Sequence, residues 1–269
     1  MSEENTTNTN TAKSVKDPTR SSSNTVIIIL LAAILVLGCA AFGFWIKTTS
    51  DANSVKWNEG KGEVPDNLRV EWIDDAESGD HITFTTGNNR DNPAIDLYSD
   101  PQCPVCRVFE QSNQEPIAKA VKEGHEFRYH PMSFLDAKHF NEHSKNMNEA
   151  MIILAKNGDA QAAWKLYSSI WENQSKINSG ELPTVEDIAS IAKDYDASKE
   201  SVNQIKEITS LDNAQKSNDV NAEFLSKMVG QVGTPTLFVA GEDVPNPFQS
   251  ENWTHLLDKD ISGDKEDGK

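Results

Sequence analysis

The chain has 269 residues, with 25 Lys and Arg against 42 Asp and Glu and a formal net charge of −17. Such acidity disfavours nucleic acid and anionic lipid as partners and reads as a solvated, soluble surface. Cysteine occurs three times, too few for a framework of structural disulfides.

Residues 1–25 are dominated by Ser, Thr and Asn and hold almost nothing apolar, so a disordered tail is expected. Residues 26–46 then form a run of 21 without a charge, which as a helix covers about 30 Å, the thickness of a bilayer's hydrocarbon core. A transmembrane helix is expected, with Trp45 as an interfacial anchor. A cleaved signal peptide would carry a shorter apolar run and a small-x-small site after it. Val36-Leu37-Gly38-Cys39 loosely resembles a lipidation box, but apolar sequence continues to Ile46, and Cys39 is read as a membrane-facing residue. Lys13, Lys16 and Arg20 precede the span and place the tail in the cytoplasm, so the chain after Ile46 faces outward. Lys47 and Lys56 weaken that asymmetry without reversing it. Residues 47–80, rich in Asp, Asn, Ser, Lys and Gly, are expected to be a linker and lead-in with Trp57 and Trp72 as isolated anchors.

A folded domain is expected over residues 81–269. His81 to Thr86 alternates as a strand, 87–93 is turn-rich, and Ala94 to Tyr98 follows as a second strand. Asp100 to Arg107 then reads Asp-Pro-Gln-Cys-Pro-Val-Cys-Arg and opens a helix, with Pro104 in its first turn and Val105, Val108 and Phe109 on the expected buried face. Unpaired backbone N–H groups and the positive end of the dipole favour thiolate at a helix N-terminus. Cys103 is therefore the attacking sulfur and Cys106, one turn inside, the resolving one. A Cys-x-x-Cys pair is also half of many zinc sites, and His139 and His143 stand at i, i+4 spacing. The gap from Cys106 to His139 is far longer than in a small zinc finger, and a domain of this size needs no metal to hold it, so none is expected. A purely structural disulfide closing a two-residue loop would add little stability. Redox chemistry of a dithiol is the reading that remains.

Glu126 to His130 reads as a third strand closed by Pro131, giving a βαβ unit with a right-handed crossover. From about 141 to 229 the period changes. Met147, Ala150, Met151 and Leu154 follow helical spacing, as do Ala160, Ala163, Trp164 and Tyr167. Thr184 and Asp187 resemble a capping box ahead of Ile188, Ile191, Ala192 and Tyr195, and further helices are expected at 201–209 and 213–229. These aromatic and methionine residues suit a core rather than a cofactor site. Residues 231–241 return to strand, with Pro235 at its entrance where a cis peptide would accommodate it. Gly241-Glu242 is expected to turn a hairpin, and 252–257 to form a closing helix.

The ordered combination of a strand, Ser99-Asp100-x-x-Cys103-Pro104-x-Cys106, a strand ending Tyr129-His130-Pro131, a helical insertion and Val232-Gly233-Thr234-Pro235-Thr236 resembles the DsbA-like thiol:disulfide oxidoreductases. The likeness covers roughly residues 81–260 and is nearest to the membrane-anchored type of Gram-positive bacteria and actinobacteria. It implies an α/β thioredoxin fold with a helical insertion, here preceded by one transmembrane helix. It also implies that Cys103 is the nucleophile, Cys106 the resolving cysteine, and Thr234-Pro235 a cis-proline loop beside the pair that meets the substrate backbone. The activity implied is extracytoplasmic and without cofactor or metal: disulfides are introduced into unfolded or reduced secreted proteins, and a membrane quinone-linked thiol oxidase of DsbB or VKOR type re-oxidises the pair. Alternatives are a reductase or isomerase of the same fold and a redox-silent binding or chaperone module. With no extra dimer domain in sight, a monomer is expected.

The chain departs from the family twice. A buried glutamate that many members carry six residues before the first cysteine is Leu97 here, and the histidine that several carry before the second is Val105. Pro104 and Val105 are the residues expected to tune the pair. The expected potential lies between those of thioredoxin, about −270 mV, and the strongest DsbA oxidant, about −120 mV.

Overall fold

The computed structural model describes residues 56–87 and 92–259. The expected tail at 1–25, the span at 26–46 and Cys39 lie outside the described residues, among which no helix is long and apolar enough to cross a membrane.

The strands are β1 (Arg69–Ile73), β2 (His81–Thr85), β3 (Ile95–Ser99), β4 (Phe127–Pro131), β5 (Thr236–Val239) and β6 (Glu242–Asp243), in the sheet order β1-β2-β4-β3-β5-β6. Among the described strands only the β3–β4 pair is parallel, with Leu97 opposite Tyr129, and helix α1 (Pro104–Lys122) makes the crossover between them. β5 runs antiparallel to β3 and sets Leu237 opposite Leu97. Alternation along each strand gives the sheet two faces. Phe84, Ile95, Leu97, Phe127, Tyr129, Leu237 and Val239 enter the main core, whereas Tyr98 and Phe238 pack with Leu225 in a smaller cluster on the other side.

The insertion comprises α2 (Leu135–His139), α3 (His143–Lys156), α4 (Ala160–Glu172), α5 (Gln174–Asn178), α6 (Val185–Asp194), α7 (Lys199–Lys206) and α8 (Asp212–Val229). Its helical periods build apolar faces: Met147, Ala150, Met151 and Leu154 are all fully buried. Helix α6 opens on the expected capping box, with Asp187 N–H donating to Thr184 Oγ1 at 3.1 Å and Thr184 N–H to Asp187 Oδ2 at 2.9 Å.

Four local readings need correction. The stretch 47–80, expected as linker and lead-in, contains β1, which pairs with β2 along its length and places Val70 opposite Phe84. Ahead of it, Trp57 Nε1 donates to Ser169 Oγ at 2.8 Å, and Asn173 of the α4–α5 junction bonds both backbone groups of Asn58 at 2.9 Å, so this segment straps α4. Val105 and Val108 are not on the buried face of α1. They are 47% and 52% exposed, because the stripe facing the sheet runs through Cys106, Phe109, Glu110, Asn113 and Ile117, and the valines fall outside it. The β5–β6 hairpin turns at Ala240-Gly241, both with positive φ as a type I′ turn requires, one residue before the expected position. The closing segment is two 3₁₀ turns, Ser250–Asn252 and Thr254–Asp258, rather than one helix.

Candidate redox site

β3 ends at Ser99 and the chain turns through Asp100-Pro101-Gln102. Asp100 Oδ1 accepts from Gln102 N–H at 3.0 Å, and Asp100 O accepts from Cys103 N–H at 2.8 Å, so the turn is closed by its own aspartate. Cys103 is the N-cap of α1 with extended backbone and no side-chain cap, and Pro104 takes the first helical position. The early amides of the helix are therefore left to the cysteine sulfur.

The insertion holds this loop from two sides. Gln102 Nε2 donates to Asp136 Oδ1 at 2.6 Å, and its Oε1 accepts from Asn141 Nδ2 at 3.0 Å and lies 3.0 Å from His139 Nδ1. Ser144 Oγ donates to Asp100 Oδ1 at 2.6 Å and Leu135 N–H to Asp100 Oδ2 at 3.0 Å. Burial pushes the Asp100 carboxyl up to about 7 against these bonds. From the other side, Gln174 Nε2 donates to Pro101 O at 2.6 Å and Cys103 O at 3.3 Å.

Both cysteines are free thiols. Cys103 keeps 6% of its surface exposed and Cys106 none. The Cys106 thiol beside Cys103 is the largest influence lowering Cys103 to about 6, joined by Thr234 and the backbone N–H groups of Cys106 and Val105, with burial opposing. Burial raises Cys106 well above the ordinary thiol value. In the thiol form Cys103 Sγ donates to Thr234 O at 3.4 Å. The Thr234 hydroxyl is buried with no hydrogen-bond partner among the described residues, so it is available to donate once the sulfur is a thiolate. The Thr234–Pro235 peptide is cis. The fold thus brings Cys103, Cys106, Thr234 and Pro235 together across the sheet, while the Val105 side chain points outward and only its backbone N–H supports the sulfur.

His139 and His143 do not act as a pair. His139 contacts Gln102, whereas His143 is buried with neither ring nitrogen bonded among the described residues, and burial lowers it to about 4.

Several site residues carry no motif. Gln102 and Gln174 act through contacts that nothing local in the sequence announces. Glu110 could have been found, because it lies four residues after Cys106 on the same helix face. It is fully buried, its carboxylate accepts from the Tyr167 hydroxyl, and burial raises it to about 8. Leu97 is packed into the core with no exposure.

A mixed sheet with a dithiol capping its first long helix, and a cis-proline loop against the outer sulfur, defines a thioredoxin-fold dithiol protein. The thioredoxin family profile matches residues 80–259, and the chain belongs to that family. Among solved structures it is similar to MdbA, a thiol-disulfide oxidoreductase from Corynebacterium diphtheriae, at 25% identity and a TM-score of 0.63, covering 73% of this chain and 96% of that one. It also resembles oxidised BdbD from Bacillus subtilis in fold, at 18% identity and a TM-score of 0.53, covering 77% and 100%. The architecture is that of the DsbA-like branch, a thioredoxin fold with a helical insertion. Among curated proteins, the serine/threonine-protein kinase PknE of Mycobacterium tuberculosis is 28% identical over 170 residues, 61% of this chain. The match spans only 29% of the kinase's own length.

Proposed function

We propose that this chain is a thiol:disulfide oxidoreductase that passes a disulfide from Cys103 and Cys106 to the thiols of secreted or surface proteins. The observation that carries the reading is the asymmetry of the pair, a Cys103 thiol at about 6 beside a buried Cys106 held far above it. The outer sulfur can form and leave as thiolate, while the inner one has no exposed surface for a substrate. A Cys103 thiol lowered by the Cys106 thiol and the helix N–H groups favours the reduced thiolate, which supports a disulfide more oxidising than one between ordinary thiols.

The surface around Cys103 suits a polypeptide. Val105 and Val108 are exposed on α1, Val232 precedes the cis-proline loop, and Phe140 is 96% exposed between two residues that both contact Gln102. Phe140 also adopts φ 55°, a conformation that disfavours a bulky side chain, so a costly aromatic is presented to solvent beside the reactive loop. These groups would meet apolar stretches that an unfolded chain exposes. Oxidised full-length chain mixed with an equimolar reduced, unfolded protein should leave one substrate disulfide per chain converted to dithiol. Absence of transfer, with the chain's disulfide intact, would refute the function.

The charge-free run at 26–46 and the basic residues before it support a single-pass membrane protein whose tail is cytoplasmic and whose redox domain is outside. A membrane thiol oxidase linked to quinone is the class of partner such a domain would need for re-oxidation. After mild reduction of intact cells, a membrane-impermeant maleimide should label the chain. Labelling that requires lysis would place the domain inside.

A further inference from the structure

Exchange at Cys103 makes a demand on the other sulfur. When a substrate thiolate attacks Cys103 Sγ of the disulfide, the bond to Cys106 Sγ breaks and its electron pair leaves with Cys106. That sulfur has no exposure, so a thiolate there must take up a proton from within the protein. Re-oxidation by attack of Cys106 requires the same proton to leave.

We propose that Glu110 exchanges this proton with Cys106, an inference that rests on the oxidoreductase reading above. Glu110 stands one turn beyond Cys106 on α1, and side chains four apart on a helix have Cβ atoms about 5–6 Å from each other. Its Oε1 is held by the Tyr167 hydroxyl of α4, and its Oε2 is buried without a hydrogen-bond partner among the described residues. One oxygen is thus fixed and the other is open to carry a proton. The remaining titratable groups of this pocket are Cys103, which bonds Cys106 directly, Tyr129 of β4 and Asp100 before α1. Both tyrosines feel Cys106 and Glu110, which places the four groups in one electrostatic neighbourhood. Tyr129 donates to Asn148 Oδ1 at 2.9 Å and is raised well above its ordinary value by burial. Asp100 has both oxygens committed to the turn and to Leu135 and Ser144.

The geometry is supported by acidity. Burial raises Glu110 to about 8, with the Tyr167 bond pulling the other way. At neutral pH the group is therefore a carboxylic acid able to protonate the departing Cys106 thiolate. In the return direction its carboxylate removes the proton again. A role confined to bonding Tyr167 would be met equally well by glutamine, whose amide oxygen accepts in the same place.

The test follows mixed-disulfide formation between the oxidised full-length chain and reduced glutathione, as a function of pH and corrected for the thiolate fraction of glutathione. The wild-type rate should fall through an inflection near pH 8 as Glu110 loses its proton. Glu110→Gln should lack the inflection and react at least about tenfold more slowly at pH 7. Tyr167→Phe, which removes the bond that lowers Glu110, should move the inflection upward. Redox difference infrared spectra of the wild type should show a carboxylic acid band that changes on reduction. Its shift in Tyr167→Phe would assign the band even if the glutamine variant failed to fold. Superimposable profiles for wild type and Glu110→Gln, or an infrared spectrum without the carboxyl change, would overturn the proposal. A wild-type disulfide inert to glutathione would instead overturn the oxidoreductase reading beneath it.

Discussion

With Cys106 replaced by serine, the full-length chain incubated with a disulfide-bearing protein should accumulate as a covalent adduct through Cys103. The wild type should show no such adduct at steady state. Cys103, lowered to about 6, is mainly thiolate at neutral pH and attacks the substrate disulfide. Serine at 106 can still donate a hydrogen bond in place of the thiol, so the thiolate keeps its principal support. It cannot attack the mixed disulfide, and the adduct has no intramolecular exit. Non-reducing gels and mass spectrometry of the adduct would locate the bond. Trapping seen only with Cys103→Ser would reverse the roles of the two sulfurs.

Glu110→Gln should stabilise the fold, and by an amount that grows with pH. The carboxyl's pKa in the folded chain, about 8, lies above its ordinary value of 4.5. The native state therefore holds the proton more tightly than the unfolded state does. Its contribution is fully present below about pH 4.5 and is lost as pH rises toward 8. Within that window each pH unit changes stability by about 1.4 kcal/mol. Glutamine has no such dependence, so the gap between variant and wild type should open between pH 4.5 and 8 and stay level above. Urea unfolding at several pH values measures it; parallel curves would mean that Glu110 is not a buried acid of raised pKa. Gain of stability together with loss of the proton-exchange rate would mark Glu110 as a residue kept at a cost to the fold.

What the sequence made legible was periodic or carried by a motif. The helical stripe at Met147 to Leu154, the Thr184–Asp187 box and the alternation of β2 and β3 each repeat within a few residues, and the two cysteines announce themselves by spacing. β1 is as long as β2 and β3 but Arg-Val-Glu-Trp-Ile is set in a polar, charged stretch, and its strand character comes from pairing with β2. The strap at Trp57 and Asn58 is held by side chains more than a hundred residues away, which leaves no local signal. Hydrophobicity alone turns Val105 and Val108 inward; the helix is rotated by the demand to bury Cys106 and Phe109, and the valines are left outside. Glu110 hid for the opposite reason, a charge on an apolar stripe that binary patterning discounts.

Gln174 opens the short helix α5. Its amide holds the carbonyls of Pro101 and Cys103. The helical insertion is therefore a bracket for the reactive turn rather than an ornament added to a self-sufficient thioredoxin. Trimming it away to obtain a minimal catalyst would leave two loop carbonyls without their donor and release the nucleophile's backbone. The Cys-Pro-Val-Cys motif is for the same reason poorly portable: transplanted onto a bare thioredoxin scaffold it would keep its spelling and lose its posture.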